Sequence, residues 1–151
     1  MRVVIQKVKE ASVTVEKEQI ASIGKGLLVL VGIENQDTVD DIEYLVRKIG
    51  QLRVFEDENG VMNLSITDVD GDLIVVSQFT LHANTKKGNR PSYIRAAKPD
   101  FSVPMYKKFI ATLEENLGKK VGTGQFGAMM DVALVNDGPV TIIIDSKQKD
   151  F

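Results

Sequence analysis

The chain has no cysteine, no tryptophan and a single histidine, His82, among its 151 residues. Without thiols there is no disulfide framework and no thiolate ligand, and the sequence fits a reducing compartment. One imidazole and no thiol leave no His/Cys ligand cluster, and no His-x-x-x-His spacing occurs, so catalytic zinc is not expected. No other metal and no cofactor is expected either. Long hydrophobic runs are missing too. The longest, Leu27 to Val31, is far short of the about 20 residues that cross a bilayer. The start, MRVVIQKVKEASV, alternates apolar and polar residues and contains no secretion-type apolar block. A soluble cytoplasmic protein without a membrane partner is the expectation.

A large basic excess is likewise absent, but the net charge of −2 conceals an asymmetry. From His82 to Pro99 there are five cations, Lys86, Lys87, Arg90, Arg95 and Lys98, and no acid. The other 14 bases face 21 acids, so one segment is +5 and the remainder −7. Such a cluster reads equally as a solvated loop or as a hold for a phosphate backbone.

What is present reads as one domain, 1–151, long enough to bury about two-thirds of its unfolded surface. Val3 to Val8, Ser12 to Glu16 and Gln19 to Ile23 alternate like half-buried antiparallel strands, and Leu27 to Ile33 reads as a buried one. A helix follows, capped by Asp37 or Thr38, with Val39, Ile42, Leu45, Val46 and Ile49 at helical spacing until Gly50. Glu43 and Arg47 are spaced to pair on its outer face. Next come a short strand at Leu52 to Phe55, turns at Asn59-Gly60 and Asp70-Gly71, and a strand from Leu73 to Leu81. A second helix is expected to start near Pro104, bury Tyr106, Phe109, Ile110, Leu113 and Leu117, and stop at Gly118. The end, MMDVALV-NDGPVT-IIID, reads as a hairpin around an Asp-Gly turn, with Pro139 oddly placed where a ladder donor belongs. Strands broken by only two helices predict an α+β fold. Its mostly antiparallel sheets would form a barrel-like or β-β-α layered core, with the helices packed on it.

The usual catalytic constellations fail in turn. On a strand from Leu73 to Leu81, Ser77, Phe79 and Leu81 share one face and Gln78, Thr80 and His82 the other. Residues two apart on one face stand about 6.5 Å apart, too far for a Thr80–His82 hydrogen bond. His82 then reads as a loop-edge side chain. Gly122-Thr-Gly124-Gln-Phe-Gly127 has dinucleotide-motif spacing, but AMMDVALV after it alternates like a strand instead of opening a helix. The glycines fit better as bends beside Phe126 and Met130. What remains is Ser77-Gln78-Phe79-Thr80-Leu81 running into Lys86-Lys87-Gly88-Asn89-Arg90. A strand terminus there can present free backbone N–H groups, and such donors stabilise an oxyanion without any acid-base side chain.

VVSQFTL, TKKGNRPSY, GQFGAMMDVALVNDGPVTI, VVIQKVKEASVTV and GKGLLVLVGI together resemble, in order and spacing, the D-aminoacyl-tRNA deacylases across nearly the whole chain. The resemblance implies a homodimeric, tRNA-binding hydrolase of translation quality control. It would cleave the ester joining a D-amino acid to the terminal ribose of tRNA, and glycyl-tRNA as well, with no DNA partner expected. It further implies that Gly138-Pro139 is a cis peptide reaching into the other subunit's active site. There the two carbonyl oxygens would accept the substrate ammonium and an L side chain would clash, a chiral proofreading by exclusion. By the same resemblance the N–H groups of Phe79 and Thr80 form the oxyanion hole, with Ser77 and Gln78 shaping it. Phe126, Gly127 and Met130 line the adenosine pocket, although Phe126 and Met130 read equally as core. Lys86, Lys87 and Arg90 hold acceptor-stem phosphates. Thr80 has no base beside it, which favours attack by water assisted by the terminal 2′-hydroxyl. Two positions depart from the family pattern: Lys7, where an arginine bracing the turn is expected, and His82, where tyrosine or alanine is usual. The alternative is a non-catalytic nucleic-acid-binding protein on the same fold.

Overall fold

The computed structural model describes all 151 residues. A mixed six-stranded sheet curls around one core and carries two helices over another. The first strand, β1 (Arg2–Val15), is 14 residues long and pairs antiparallel with three neighbours: β2 (Glu18–Ile23), β3 (Gly26–Gly32) and, along its other edge, β8 (Asp131–Asp145). Two strands were expected where β1 is one. The alternation does break, because the pairing register shifts around Val8 to Glu10. Val3 and Ile5 face the larger core, whereas Val8, Ala11 and Val13 face the smaller, so one bulge lets a single strand serve both.

Helix α1 (Val39–Gln51) starts at Thr38, whose N–H donates to the Asp41 carboxylate (2.8 Å), and buries Ile42, Leu45, Val46 and Ile49. The expected Glu43–Arg47 pair is not formed; Arg47 lies over the Tyr44 ring at 5.9 Å instead. The predicted Leu52–Phe55 strand is shifted to β4 (Phe55–Glu56), which pairs with β5 (Met62–Leu64) around the Asn59-Gly60 turn. Strand β6 (Asp72–Ser77) runs parallel to β3. Helix α2 (Pro99–Leu117) begins five residues before Pro104, because Pro99 fills its first turn and the buried positions Ser102, Tyr106, Phe109 and Leu113 already repeat from there. It ends at Gly118, at φ 68°.

Strand β7 (Gly122–Thr123) adds to β6 in parallel, giving the order β2-β1-β3-β6-β7, with β8 on the outer side of β1. Strand β2 packs back over β6 and β7, which nearly closes the barrel. Both sheet faces are therefore buried at β3 and β6: Leu27, Val29, Val31, Leu73 and Val75 face the helices, and Leu28, Ile74 and Val76 face the inside of the curl. No helix is long and apolar enough to cross a membrane.

The closing hairpin is not there. Asp131 to Asn136 pairs with Thr14 to Val8, and Thr141 to Asp145 pairs with Gln6 to Arg2, so both halves run the same way along β1. Asn136 catches the Val140 N–H on its side-chain oxygen (3.1 Å) and donates to Thr141 Oγ1 (3.0 Å), closing a loop that lets the strand resume. Asp137 to Val140 bulge out opposite the lone Lys7 of β1.

Candidate active site

The predicted strand Leu73 to Leu81 stops at Ser77. The Gln78 N–H makes the last bond to β3, to the Val31 carbonyl (2.8 Å), and residues Phe79–His82 wind into a 3-10 turn. That turn overturns the two-face assignment of residues 77–82. Within it Leu81 N–H donates to the Gln78 carbonyl (3.2 Å) and Ala83 N–H to the Thr80 carbonyl (3.1 Å). The N–H groups of Phe79 and Thr80, at its start, precede the first acceptor the turn can offer, and no side chain accepts from them. Thus the turn, rather than a strand terminus, supplies two adjacent free donors.

Around these donors the side chains are ordered. Gln78 Nε2 donates to Thr80 Oγ1 (2.5 Å), so the hydroxyl meets an amide and not a base. Phe79 is 55 % exposed and packs edge-on against Tyr93, ring centroids 5.0 Å apart. Arg2 braces the turn from behind, Nη1 on the Leu81 carbonyl (3.0 Å) and Nε on Asp145 (2.9 Å). His82 is not at a loop edge; it is wholly buried, because the tightened turn swings its ring inward against Gly32.

The Gly122–Met130 segment runs beside the end of β6. The Gly124 N–H donates to the Val75 carbonyl (3.3 Å), and the same carbonyl takes the Tyr106 hydroxyl (2.8 Å). Burial pushes that phenol up to about 12. Tyr106 also packs on Phe126, centroids 5.7 Å apart, and Met130 fills the space a Gly124 side chain would need, with Sδ 2.5 Å from an added Cβ. Phe126 and Met130 are half-buried, each packed against a core cluster, and Gly127 is exposed at φ 77°. The strand after Gly127 is β8, so the dinucleotide spacing has no helix behind it.

After the turn the chain closes a loop by the Asn84–Ser92 backbone pair (2.8 and 2.9 Å). Lys86, Lys87 and Arg90 stand exposed on it and form no ion pair. Arg95 differs, its guanidinium reaching Glu34 at 2.7 Å.

Gly138-Pro139 is cis, at the exposed tip of the β8 bulge. Gly138 has φ 127°, and a Cβ there would come within 3.0 Å of Val140 Cγ2. Lys7, 5 % exposed, points its Nζ to 3.9 Å from Asp137 Oδ2 and lies 5.9 Å from the Phe55 ring. The bulge and the turn of one chain are not brought together. From Lys7 the register leads through Leu27 to Leu73, four residues before Ser77. Three strand spacings and four residues of rise separate the two features by about 20 Å along the sheet.

Sequence reasoning gives Arg2 and Tyr93 no role and places Tyr106 only as a buried helix residue. Tyr93 carried a usable signal, an aromatic inside a basic segment. Arg2 and Tyr106 act through contacts with residues 79 and 31 positions away, which no local pattern reveals.

The family model described as D-Tyr-tRNA(Tyr) deacylase matches residues 4–145. A D-aminoacyl-tRNA deacylase of Flavobacterium johnsoniae is 65% identical over 150 residues, covering 99% of this chain and 100% of the relative. One of Bacteroides thetaiotaomicron is 59% identical with the same coverage. Among solved structures, the c-Myc DNA Unwinding Element Binding Protein aligns at TM-score 0.92 and 43% identity, covering 96% of this chain and 98% of that one. A probable eukaryotic D-amino acid tRNA deacylase shares the fold at TM-score 0.81 and 16% identity, covering 95% and 97%. A chain matched end to end by these relatives, with two free N–H donors and no reactive side chain at its turn, belongs to the D-Tyr-tRNA(Tyr) deacylase family, hydrolases of the aminoacyl-tRNA ester.

Proposed function

We propose that the protein is a cytoplasmic homodimer that hydrolyses D-aminoacyl-tRNA, and glycyl-tRNA with it, at sites built from both subunits. The Phe79 and Thr80 N–H groups receive the developing oxyanion, held in place by Ser77 and Gln78. Water attacks the ester carbonyl with help from the vicinal 2′-hydroxyl, and the leaving 3′-oxygen of the ribose takes up a proton. Phe126, Gly127 and Met130 seat the terminal adenosine. Lys86, Lys87 and Arg90 hold acceptor-stem phosphates without reading sequence.

The Gly138 and Pro139 carbonyl oxygens accept the substrate ammonium from across the two-fold axis. With ester and ammonium both pinned, a D side chain leaves the site while an L side chain meets the bulge. Glycine has no side chain to exclude. The observation carrying this reading is the separation of about 20 Å along the sheet between bulge and turn in one chain. That separation supports a bulge that acts on a partner's site rather than on its own.

A non-catalytic role on nucleic acid is suggested by the name of the 43% identical structure, which speaks of DNA binding. Against it stand the free donors and the Gly138-Pro139 bulge, which such a role does not use.

Pure protein should release D-tyrosine from D-Tyr-tRNA and spare L-Tyr-tRNA; absence of D turnover would end the assignment. Mixing separates the subunits' contributions. Phe79→Pro removes one donor and Gly138→Val blocks the bulge, and the two inactive proteins combined should regain activity through mixed dimers. If the mixture stays inactive although mixed dimers form, the bulge does not work in trans.

A further inference from the structure

His82 is a buried titratable group that the reaction above leaves idle. Neither ring nitrogen has a hydrogen-bond partner, an expensive state for a polar ring with no exposed surface. Its Nε2 edge lies against Gly32, where an added Cβ would come within 3.1 Å. Its Nδ1 is 3.5 Å from Glu34 Oε1, too long for a good bond. That same oxygen is already occupied. Arg95 holds it through Nη2 at 2.7 Å and Nε at 2.9 Å.

Two side chains therefore contend for one carboxylate oxygen. Arg95 is half-exposed and belongs to the basic segment with Lys86, Lys87 and Arg90, whereas His82 closes the turn that carries Phe79 and Thr80. A phosphate arriving at the segment offers the guanidinium a partner of matching fork geometry. Glu34, only 13 % exposed, would then lose its paired cation, with Lys147 acting on it at longer range and the His82 imidazole the nearest donor left beside it.

The charges around the ring make that exchange responsive. Burial lowers the His82 pKa, and the Met1 ammonium and Arg2 add to the lowering; the Gly32 backbone, near the ring but outside hydrogen-bonding geometry, and Glu34 act to raise it. Arg95, on the same carboxylate oxygen, offsets part of the pull of Glu34 on the ring. Removing Arg95 from Glu34 leaves the carboxylate's full charge to draw a proton onto the ring.

We propose that Arg95, Glu34 and His82 form a relay: a substrate phosphate takes Arg95, Glu34 passes to His82, and the turn bearing the Phe79 and Thr80 donors is anchored from beneath. His82 is then a positioning residue, coupled to the loop that holds the RNA. The relay rests on the proposed roles of that turn and that loop.

The sole histidine makes the test direct, since one imidazole signal is followed by NMR across pH. Without RNA, Arg95→Gln should move the titration midpoint to higher pH, and Glu34→Gln added to it should abolish the rise. In the native chain, an uncharged acceptor-stem minihelix should raise the midpoint, and the same RNA bound to Glu34→Gln should not. An unmoved midpoint in Arg95→Gln, in the RNA-bound native protein, or a rise that survives Glu34→Gln, overturns the relay. The native chain alone can overturn the relay, since a midpoint that the RNA leaves unmoved does so even where a variant misfolds. Failure of the minihelix to bind would sink the phosphate-holding loop, and the coupling with it. Absence of D-Tyr-tRNA turnover would sink the ester chemistry while leaving the RNA-free titration to judge the pairing.

Discussion

The Gln78 side-chain amide donates to the Thr80 hydroxyl across 2.5 Å. An oxygen that accepts from an amide, with no imidazole or carboxylate beside it, is not activated as a nucleophile. Thr80→Ala should therefore keep D-Tyr-tRNA hydrolysis within about tenfold of the parent, whereas loss of a general acid or base costs about 10²–10⁴. Single-turnover rates decide it, and a fall to background would make Thr80 the nucleophile after all.

Gly138 offers a cleaner probe of discrimination than of fold. At φ 127° an alanine is strained, and its Cβ would crowd Val140 at 3.0 Å and 3.3 Å. The residue is exposed at the tip of the bulge, so the core is untouched. Gly138→Ala should lower kcat/KM for the D ester by about tenfold or more, the equivalent of about 1.4 kcal/mol, with the melting temperature almost unchanged. An unchanged D/L rate ratio would count against the bulge as selector.

The exposed cations make a salt-dependence prediction. Replacing Lys86, Lys87 and Arg90 together by glutamine should weaken binding of any acceptor stem alike. The slope of log K against log salt should shrink by about one for each phosphate that the loop no longer neutralises. Titrations at several salt concentrations measure this, and an unchanged slope would mean that the loop is merely solvated.

Asp41 links pH to stability. Burial alone would raise its pKa, but hydrogen bonds from Ser146, the Thr38 N–H and Lys147 outweigh that and hold it at about 2, below the ordinary 3.8. The folded pKa lies under the unfolded one, so the stabilisation is complete above about 4 and disappears as pH falls through 4 toward 2. Asp41→Asn should melt below the parent at neutral pH and converge with it near pH 2. Parallel melting curves with a constant gap would refute the linkage.

How much of this was legible depended on whether a signal was local. The apolar spacing from Val39 to Ile49, the Thr38 start and the Gly118 stop are written within a turn or two of chain, and both helices followed. The basic loop and the strand-like MMDVALV were equally plain. The hairpin was misread because Asp-Gly chemistry is local, whereas the pairing of both β8 halves to β1 is set by residues more than a hundred positions away. For His82, period-two counting assumed a strand that had already ended at Ser77. Once the backbone tightens to a 3-10 turn, parity no longer says which side chains go inward.

The length of β1 ties the molecule's stability together. Because one strand bonds to β2, β3 and β8 and lends side chains to both cores, neither core can open without disturbing the other. Amide protons in its middle should exchange only through whole-molecule opening, and a lesion in either core should be reported along the entire strand.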